Sequence, residues 1–242
     1  MYFNDIFSTM VFPCPGCGAD DAPAGGRGFC PECVAKLQLF PDGQVFCPGC
    51  GGIMDGALAV CSQCLAEPVR PWHHAVAVFP YRGFGKKLIR QMKFATRPEL
   101  SRPLAVLAAA AIRARGVMPQ ALVPVPLHWT RFMLRGYNQA ELLADCIGRE
   151  LGIPVLKVLK RRFPRKKQAL LGRRERHKLQ TSFYCSCPEK LCGLQLMLVD
   201  DVLTTGATLT AAAQALPEVE RENLSVLTIA RTPAYGALPQ LT

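Results

Sequence analysis

Long hydrophobic runs are missing from this sequence, whose longest apolar stretch, 104–112, has nine residues. A helix needs about 20 consecutive apolar residues to cross a bilayer, so we expect no membrane insertion. The first residues also lack the basic segment and the following apolar stretch of a secretory signal peptide. Both absences favour a cytoplasmic protein. Because 50% of the residues are hydrophobic, the composition also excludes a globally disordered chain.

Histidine and acidic residues are scarce as well. The four histidines, His73, His74, His128 and His177, are scattered and show no metal-ligand spacing. The chain has 18 acidic and 29 basic residues, which gives a net charge of +11. Most of this excess lies in the segment 157–178, which holds eleven Lys or Arg residues and one acid, Glu175. The charge distribution therefore predicts a local basic patch on an otherwise nearly neutral protein.

Cysteine, in contrast, is abundant and regularly placed. Eight of the twelve cysteines lie in the first 64 residues as four Cys-x-x-Cys pairs, and the motif Cys-Pro-Gly-Cys-Gly occurs at both 14–18 and 47–51. In a reducing compartment such pairs indicate metal binding. The alternative, an exported disulfide scaffold, is disfavoured by the chain length and the missing export signal. The other four have no paired motif and are interpreted as packing or incidental thiols: Cys146, Cys185, Cys187 and Cys192.

Four thiolates satisfy a tetrahedral zinc ion, so the paired cysteines predict two zinc sites of four cysteines each. The repeat favours sequential pairing, with Cys14, Cys17, Cys30 and Cys33 on one ion and Cys47, Cys50, Cys61 and Cys64 on the other. A cross-braced arrangement, in which the first pair joins the third, stays open. The segment has too few large apolar side chains for a core of its own, so we expect structural zinc that supplies folding energy.

The amino-acid composition and the hydrophobic pattern change close to Pro68. Residues 1–68 are rich in Cys, Gly and Pro and are predicted to form a double zinc ribbon. Residues 69–242 alternate strand-like and helix-like stretches, which predicts an α/β domain with a mainly parallel sheet flanked by helices. The predicted strands are 75–81, 121–127, 155–159, 195–202 and 224–230, and the predicted helices are 86–94, 99–114, 138–151 and 208–216.

The most informative stretch, 196–208, reads Leu-Met-Leu-Val-Asp-Asp-Val-Leu-Thr-Thr-Gly-Ala-Thr. Its apolar residues predict a buried strand that ends at two carboxylates, and a Thr/Gly loop then opens a helix. Ligands of α/β sheets bind outside the carboxyl ends of strands, and helix N-termini present free N–H groups to phosphate. Paired carboxylates can accept hydrogen bonds from two vicinal hydroxyls, as on a ribose. The alternative is an ordinary strand–turn–helix, although two buried aspartates are costly unless they serve a ligand.

This stretch resembles the phosphoribosyl pyrophosphate (PRPP)-binding motif of type I phosphoribosyltransferases. The resemblance implies that Asp200 and Asp201 hold the ribose hydroxyls of PRPP. It also implies that the loop cradles the 5′-phosphate through Thr204, Thr205, Gly206, Ala207 and Thr208. Mg2+ would be held mainly by pyrophosphate and ribose oxygens, as suits a hard cation that retains its waters.

A second constellation starts with Val-Pro-Val-Pro-Leu at 123–127 and continues through Arg131 and Arg135 to Gly-Tyr-Asn-Gln at 136–139. Together with the cysteine module, it resembles the ComF family, which comprises competence protein F and its DNA-utilisation relatives. The resemblance covers essentially the whole chain and implies a type I phosphoribosyltransferase-like domain behind the zinc module. It places Pro126 and Leu127 in the pyrophosphate loop and makes both arginines contacts of phosphate or nucleic acid. Two arginines beside a solvent-exposed loop are the alternative.

Two basic clusters are candidate contacts for single-stranded DNA, which is bound through phosphate neutralisation and base stacking. The first, on a predicted helix, contains Lys86, Lys87, Arg90 and Lys93, and the second, in the basic segment, contains Arg161, Arg162, Lys166 and Lys167. A solvated charged face is the alternative interpretation of each cluster.

The family resemblance implies a protein that binds PRPP and single-stranded DNA during DNA uptake or the use of DNA as a nutrient. A competence helicase or recombination proteins are its implied partners. The alternative is an active phosphoribosyltransferase, in which a small amine or base displaces pyrophosphate from PRPP. A PRPP-sensing regulator is a third hypothesis, but no helix-turn-helix is evident in the sequence. No residue identifies the acceptor or a catalytic base.

Overall fold

The computed structural model describes residues 13–20, 28–54, 58–94, 97–162, 183–217 and 219–233. In chain order its helices are α1 (Pro31–Leu37), α2 (Ser62–Leu65), α3 (Gly83–Phe94), α4 (Ser101–Ala114), α5 (Trp129–Arg135), α6 (Gln139–Leu151) and α7 (Ala207–Gln214). Its strands are β1 (His74–Pro80), β2 (Ala121–Pro124), β3 (Leu159–Arg161), β4 (Phe183–Cys185), β5 (Leu196–Leu203) and β6 (Leu224–Arg231). Lys166, Lys167 and the rest of the basic segment from residue 163 lie outside the described residues.

Four strands form a parallel sheet in the order β1-β6-β5-β2, and β3 and β4 form a separate antiparallel pair. The inner strand β5 pairs Val199 with Pro124 of β2 and with Leu227 of β6. Because all four strands run the same way, their carboxyl ends meet at one edge of the sheet. This arrangement confirms the predicted α/β class with a mainly parallel sheet.

Both faces of the sheet are buried, which explains the nearly continuous apolar run of β5. Successive side chains of a strand point to opposite faces. Met197 and Val199 belong to the core that includes residues of α3, α4 and α6. Leu196 and Leu198 belong to the second core, which includes residues of α7, β3 and β4. Burial of each such side chain contributes about 1.5–3 kcal/mol of folding free energy.

The cysteine module contacts both faces of the sheet at its β1 edge. Cys14, Cys30 and Cys33 belong to the core that contains α3 and α4, whereas Cys47, Cys50 and Cys64 belong to the core that contains α7. Between the two halves, the Phe40 N–H donates to the Val78 carbonyl of β1 at 3.0 Å. The module therefore covers an edge strand whose unpaired backbone groups would otherwise be exposed.

One predicted strand, 155–159, is wrong in its position. Val155 forms a single parallel bridge with Leu122 on the outer edge of β2, and the regular strand begins only at Leu159, in the separate pair. The Leu122 N–H donates to the Pro154 carbonyl at 3.0 Å on this edge. The next two residues with the same orientation are Pro124 and Pro126, which have no N–H to donate. The ladder therefore cannot extend beyond Val155, and the chain leaves the sheet.

Other boundaries differ by a few residues. The predicted helix 99–114 is a 3-10 turn, Pro98–Leu100, followed by α4, and the predicted helix 86–94 begins three residues earlier, at Gly83. Asn138 caps α6 instead of forming its first turn. Within the described part of the chain, no helix is long and apolar enough to cross a membrane.

Candidate functional site

A cleft of about 240 Å³ lies at the carboxyl edge of the sheet, where the loops after β2 and β5 face each other. It brings together eight of the residues predicted for PRPP or phosphate contacts: Pro126, Leu127, Arg131, Arg135, Asp200, Asp201, Thr204 and Thr208. They come from three segments of the chain: the loop after β2, α5, and the stretch from the end of β5 to the start of α7. This assembly follows from the parallel sheet, which brings the ends of neighbouring strands together.

The two aspartates are adjacent at the end of β5 and differ in their contacts. The Asp201 N–H donates to Asp200 Oδ1 at 2.8 Å. Asp201 Oδ1 lies 2.8 Å from Lys93 Nζ, and both side chains of this ion pair are largely buried. Burial and the nearby charge of Asp201 raise the pKa of Asp200 to about 7. The cleft thus contains one carboxylate paired with a cation and one that titrates close to neutral pH.

The loop after β5 turns sharply at Gly206, the N-cap of α7, where φ is 79°. A side chain there would adopt a strained backbone conformation, and its Cβ would lie 2.7 Å from Arg70 Nη1. Gly206 offers no side-chain cap to α7, and the Ala207 N–H of the first turn donates to Thr205 Oγ1 at 3.4 Å. The predicted cradle is therefore divided: Thr204 and Thr208 line the cleft, and Gly206 is buried against Arg70.

The opposite wall of the cleft is α5, a helix where the sequence suggested only a loop. His128 Nδ1 accepts the Thr130 N–H at its start, and Gly136 ends it with φ 76°. Arg131 and Arg135 lie one turn apart on this helix and both line the cleft. Burial lowers the pKa of Arg135, and the charge of Asp201 opposes that shift.

Asn138 joins this wall to the sheet. Its Nδ2 donates to the Val125 carbonyl at 3.1 Å, and its Oδ1 accepts the Ala140 N–H at 3.1 Å. These bonds hold the β2 loop against the start of α6. The buried side chain of Asn138 therefore positions the loop that contains Pro126 and Leu127.

The cleft residues fit a ligand with several phosphate groups. Lys93, Arg131 and Arg135 supply three cations beside two carboxylates. The carboxylates accept hydrogen bonds from hydroxyls, and the guanidinium groups donate to phosphate oxygens. The cleft has too few carboxylate and hydroxyl oxygens to coordinate Mg2+ fully. This fits an ion that is held mainly by oxygens of the bound ligand.

The eight paired cysteines form two groups in sequential order, Cys14/Cys17/Cys30/Cys33 and Cys47/Cys50/Cys61/Cys64, and within each group the sulfur atoms all lie within 4.8 Å of one another. This excludes the cross-braced arrangement. Cys17 and Cys30 Sγ are 3.7 Å apart, and Cys50 and Cys61 Sγ are 3.6 Å apart. A zinc tetrahedron with bonds of about 2.3 Å places its sulfurs roughly 3.8 Å apart, so both groups fit zinc.

Backbone N–H groups surround the sulfurs as expected for metal thiolates. The Cys30 N–H donates to Cys14 Sγ and the Cys61 N–H donates to Cys47 Sγ, each at 3.3 Å. These equivalent bonds show that the repeat in sequence is also a repeat in structure. Such bonds stabilise the deprotonated sulfur and orient it towards the metal.

The second cysteine group is connected to the cleft by Arg70. This residue is 9% exposed, its guanidinium lies 5.6 Å from the Trp72 ring centre, and it packs under Gly206. The Trp72 indole N–H donates to the Gly49 carbonyl inside the second Cys-Pro-Gly-Cys turn at 3.2 Å. A second arginine, Arg231 at the end of β6, donates to Gln63 Oε1 at 2.8 Å. Arg70 therefore links the second cysteine group to the loop after β5.

The two basic clusters are placed differently. Lys86, Lys87 and Arg90 line an exposed depression on α3 together with Phe94, whereas Lys93 of the same helix points into the cleft. Arg161 and Arg162 line a separate groove next to the cleft. The first predicted cluster is thus split between two surfaces.

Sequence reasoning did not place Arg70, Tyr81 or Gln139 at the site, and it assigned Lys93 to a nucleic-acid surface. Tyr81 and Gln139 line the cleft, and Gln139 Oε1 accepts from Arg135 Nη1 at 2.9 Å. Gln139 belongs to the Gly-Tyr-Asn-Gln motif, so the sequence could have predicted its place at the site. Nothing in the local sequence of Arg70 distinguishes it from other linker residues.

No family model matches the chain. Competence protein F of Haemophilus influenzae is 31% identical over 213 residues, which cover 85% of this chain and 91% of that protein. The DNA utilization protein YhgH of Escherichia coli strain K12 is 32% identical over 199 residues, covering 79% and 85%. Competence protein ComFC of Bacillus subtilis is 30% identical over 197 residues, covering 78% of each chain. With this extent of similarity, two four-cysteine groups and a parallel sheet, the chain belongs to the ComF family of competence protein F and the DNA utilization proteins.

Proposed function

We propose that this protein binds PRPP with Mg2+ in the cleft, binds single-stranded DNA, and acts in the cytoplasm in DNA uptake or the use of DNA as a nutrient. The names of its relatives, competence and DNA utilization proteins, support the process. A helicase or recombination proteins are the proposed partners. In this proposal residues 1–68 form the zinc-binding domain and residues 69–242 the ligand-binding domain.

The observation that carries the PRPP proposal is the position of Asp200 and Asp201 opposite Arg131 and Arg135. The carboxylates would accept the two ribose hydroxyls, and the first turn of α7 with Thr204 and Thr208 would receive the 5′-phosphate. The pyrophosphate would lie between the β2 loop and α5, where both guanidinium groups are within reach. Asp201 would exchange part of its contact with Lys93 for the ligand.

Calorimetry with PRPP and Mg2+ tests this assignment. Wild-type protein is expected to bind, and the double variant Asp200→Asn, Asp201→Asn is expected to lose at least about tenfold in affinity, since hydrogen bonds to charged groups contribute about 1.5–3 kcal/mol. Asp42→Asn is the matched control because Asp42 is exposed and lines a different cavity. Equal PRPP affinity of the double variant and the control would contradict the proposal.

Salt dependence tests the DNA side of the proposal. Phosphate neutralisation by lysine and arginine releases counterions, so the affinity for single-stranded DNA should fall steeply as salt rises. Fluorescence anisotropy of a labelled oligonucleotide between low and high salt measures this slope. An affinity that does not change with salt would exclude the electrostatic account.

Catalysis is the second candidate, and the groove that adjoins the cleft favours it because an acceptor has room beside the ribose. In that case a nitrogen nucleophile forms a bond to ribose C1, and the bond from C1 to pyrophosphate breaks with its electron pair leaving on pyrophosphate. The acceptor then loses its proton to solvent. Pyrophosphate release from PRPP in the presence of candidate amines or bases distinguishes a transferase from a binding protein, which releases none.

A further inference from the structure

A groove of about 220 Å³ lies between α5 and the β3–β4 pair, next to the cleft. Two large aromatic rings from α5, Trp129 and Phe132, line it, and each is 47% exposed. Exposed aromatic side chains on a short helix cost solvation free energy unless a ligand covers them. The groove is therefore a candidate binding surface rather than part of either core.

The other wall of the groove is basic. Lys160, Arg161 and Arg162 line it from the end of β3. Within the described part of the chain none of these three forms an ion pair. Among the described residues that line the groove, Glu141 is the one acid, and its carboxylate lies 3.9 Å from Lys157 Nζ. The groove thus presents unneutralised positive charge opposite its aromatic rings.

Arginine and aromatic side chains also alternate across the strand pair. Arg161 lies over the Phe183 ring at 4.9 Å, and Arg162 lies over the Tyr184 ring at 5.4 Å. Tyr184 is 41% exposed and lies outside the groove lining. Stacking holds the guanidinium planes in place while their N–H groups stay available to an anion.

The groove and the cleft share a wall that consists of Pro126, Leu127 and Asn138. Arg161 is electrostatically coupled to the cleft as well. Burial and the charge of Arg131 lower its pKa, and the charge of Asp200 opposes this. A molecule in the groove would therefore lie directly beside a ligand held by the aspartates.

We propose that this groove binds unpaired nucleobases of single-stranded DNA. The bases stack on Trp129 and Phe132, and the flanking phosphates contact Arg161 and Arg162. The proposal rests on the DNA binding proposed above and gives its location: the β3–α5 groove rather than the exposed depression on α3. Stacking platforms beside cations are the common means of binding single strands without sequence preference. The positive charge beside the rings matches the phosphates that flank each base of a nucleic-acid strand.

Tryptophan fluorescence tests the location directly, because the chain has only two tryptophans. Trp72 is 1% exposed, so added ligands reach only Trp129 at the surface. We expect an oligodeoxythymidylate of roughly 15 nucleotides, within the site sizes of single-strand binders, to quench this emission on binding. Trp129→Leu is expected to remove the quench and to weaken binding about tenfold, as loss of one stacked base predicts.

Two further variants make the test specific. Trp129→Phe preserves a stacking face and should retain most of the affinity. Met133→Ala is the matched control, since Met133 is exposed on the same helix but does not line the groove. Phe94→Leu, on the α3 depression, should weaken binding less than Trp129→Leu. Anisotropy measured on all variants, with zinc content as a check of folding, provides the affinities.

The outcomes separate the two proposals. Binding of the oligonucleotide with no quench, together with unchanged affinity of Trp129→Leu, overturns the groove while DNA binding itself stands. A larger loss from Phe94→Leu assigns the strand to α3 and overturns the groove as well. No binding by the wild-type protein at any salt concentration would reject both proposals.

Discussion

Lys93 of α3 and Asp201 of β5 form an ion pair inside the cleft, with Nζ 2.8 Å from Oδ1. Lys93 comes from a helix whose other cations point to solvent, and Asp201 is one of the two carboxylates expected to hold a ribose. The pair neutralises a buried charge at the end of β5. It also places a cation among the residues that line the cleft.

Removal of Lys93 should therefore destabilise the protein. Lys93→Met leaves Asp201 as a largely buried carboxylate without its cation, which costs about 2–4 kcal/mol of unfolding free energy. Lys87→Met, on the exposed side of the same helix, should change stability by no more than about 0.5 kcal/mol. Urea denaturation of both variants measures this. The double variant Lys93→Met, Asp201→Asn should recover part of the loss, and simple additivity would mean that the pair is not coupled.

Because of Asp200, the unfolding free energy should fall as pH rises, the reverse of the usual effect of a carboxylate. Its pKa in the folded protein is raised to about 7 from the ordinary value of 3.8. The folded state therefore holds a proton that the unfolded chain releases, and stability falls as pH rises from about 4 to about 7. Asp200→Asn removes this penalty and should be more stable than wild type at pH 8 by an amount on the order of 1–3 kcal/mol. Urea midpoints at pH 5 to 8 test it; parallel pH curves for the two proteins would contradict it.

Gly206→Ala should destabilise the loop after β5 by more than the cost of its backbone conformation alone. An alanine at position 206 would have to keep the backbone φ of 79°, and its Cβ would lie 2.7 Å from Arg70 Nη1. We expect a loss of about 2 kcal/mol in stability and a clear loss of PRPP affinity. Gly136→Ala is the matched control, with φ 76° and no atom of the described residues within 4 Å of the added Cβ.

The difference between these two alanine variants isolates the contact with Arg70. Gly136→Ala should lose only about 1 kcal/mol, the cost of the positive φ. Arg70→Ala combined with Gly206→Ala should then relieve the crowding. If Gly206→Ala and Gly136→Ala unfold at the same urea concentration, Arg70 does not restrict the loop after β5.

Metal analysis should find two zinc ions per chain, one for each group of four cysteines. Cys47→Ser should leave one ion and strongly destabilise the protein, because the second group forms part of the core that contains α7. Cys192→Ser is the control, since Cys192 is exposed and lies outside both groups. Retention of both ions by Cys47→Ser, measured with a colorimetric zinc assay, would contradict the assignment.

The α/β class, the strand of the paired aspartates and the two sets of four cysteines were predictable from local pattern. A strand buried on both faces needs a continuous apolar run, and paired thiolates need short spacing, so both features appear in neighbouring residues. The absence of a further strand on the outer edge of β2 was harder to predict from the sequence. Pro124 and Pro126 contain the information that no further strand can pair there, but only the orientation of each N–H in the sheet shows it.

The sequence by itself determined which residues have the chemistry: the cysteines, the two aspartates, the Thr/Gly loop and the arginines after β2. Only the tertiary structure decided their partners. The direction of α3 brings Lys93 to Asp201, and the packing of the linker brings Arg70 under Gly206. The placement of α5 beside β3 puts Trp129 next to the basic strand end. These contacts join residues far apart in the chain, and their geometry depends on how the helices pack on the sheet, which no local pattern of residues encodes.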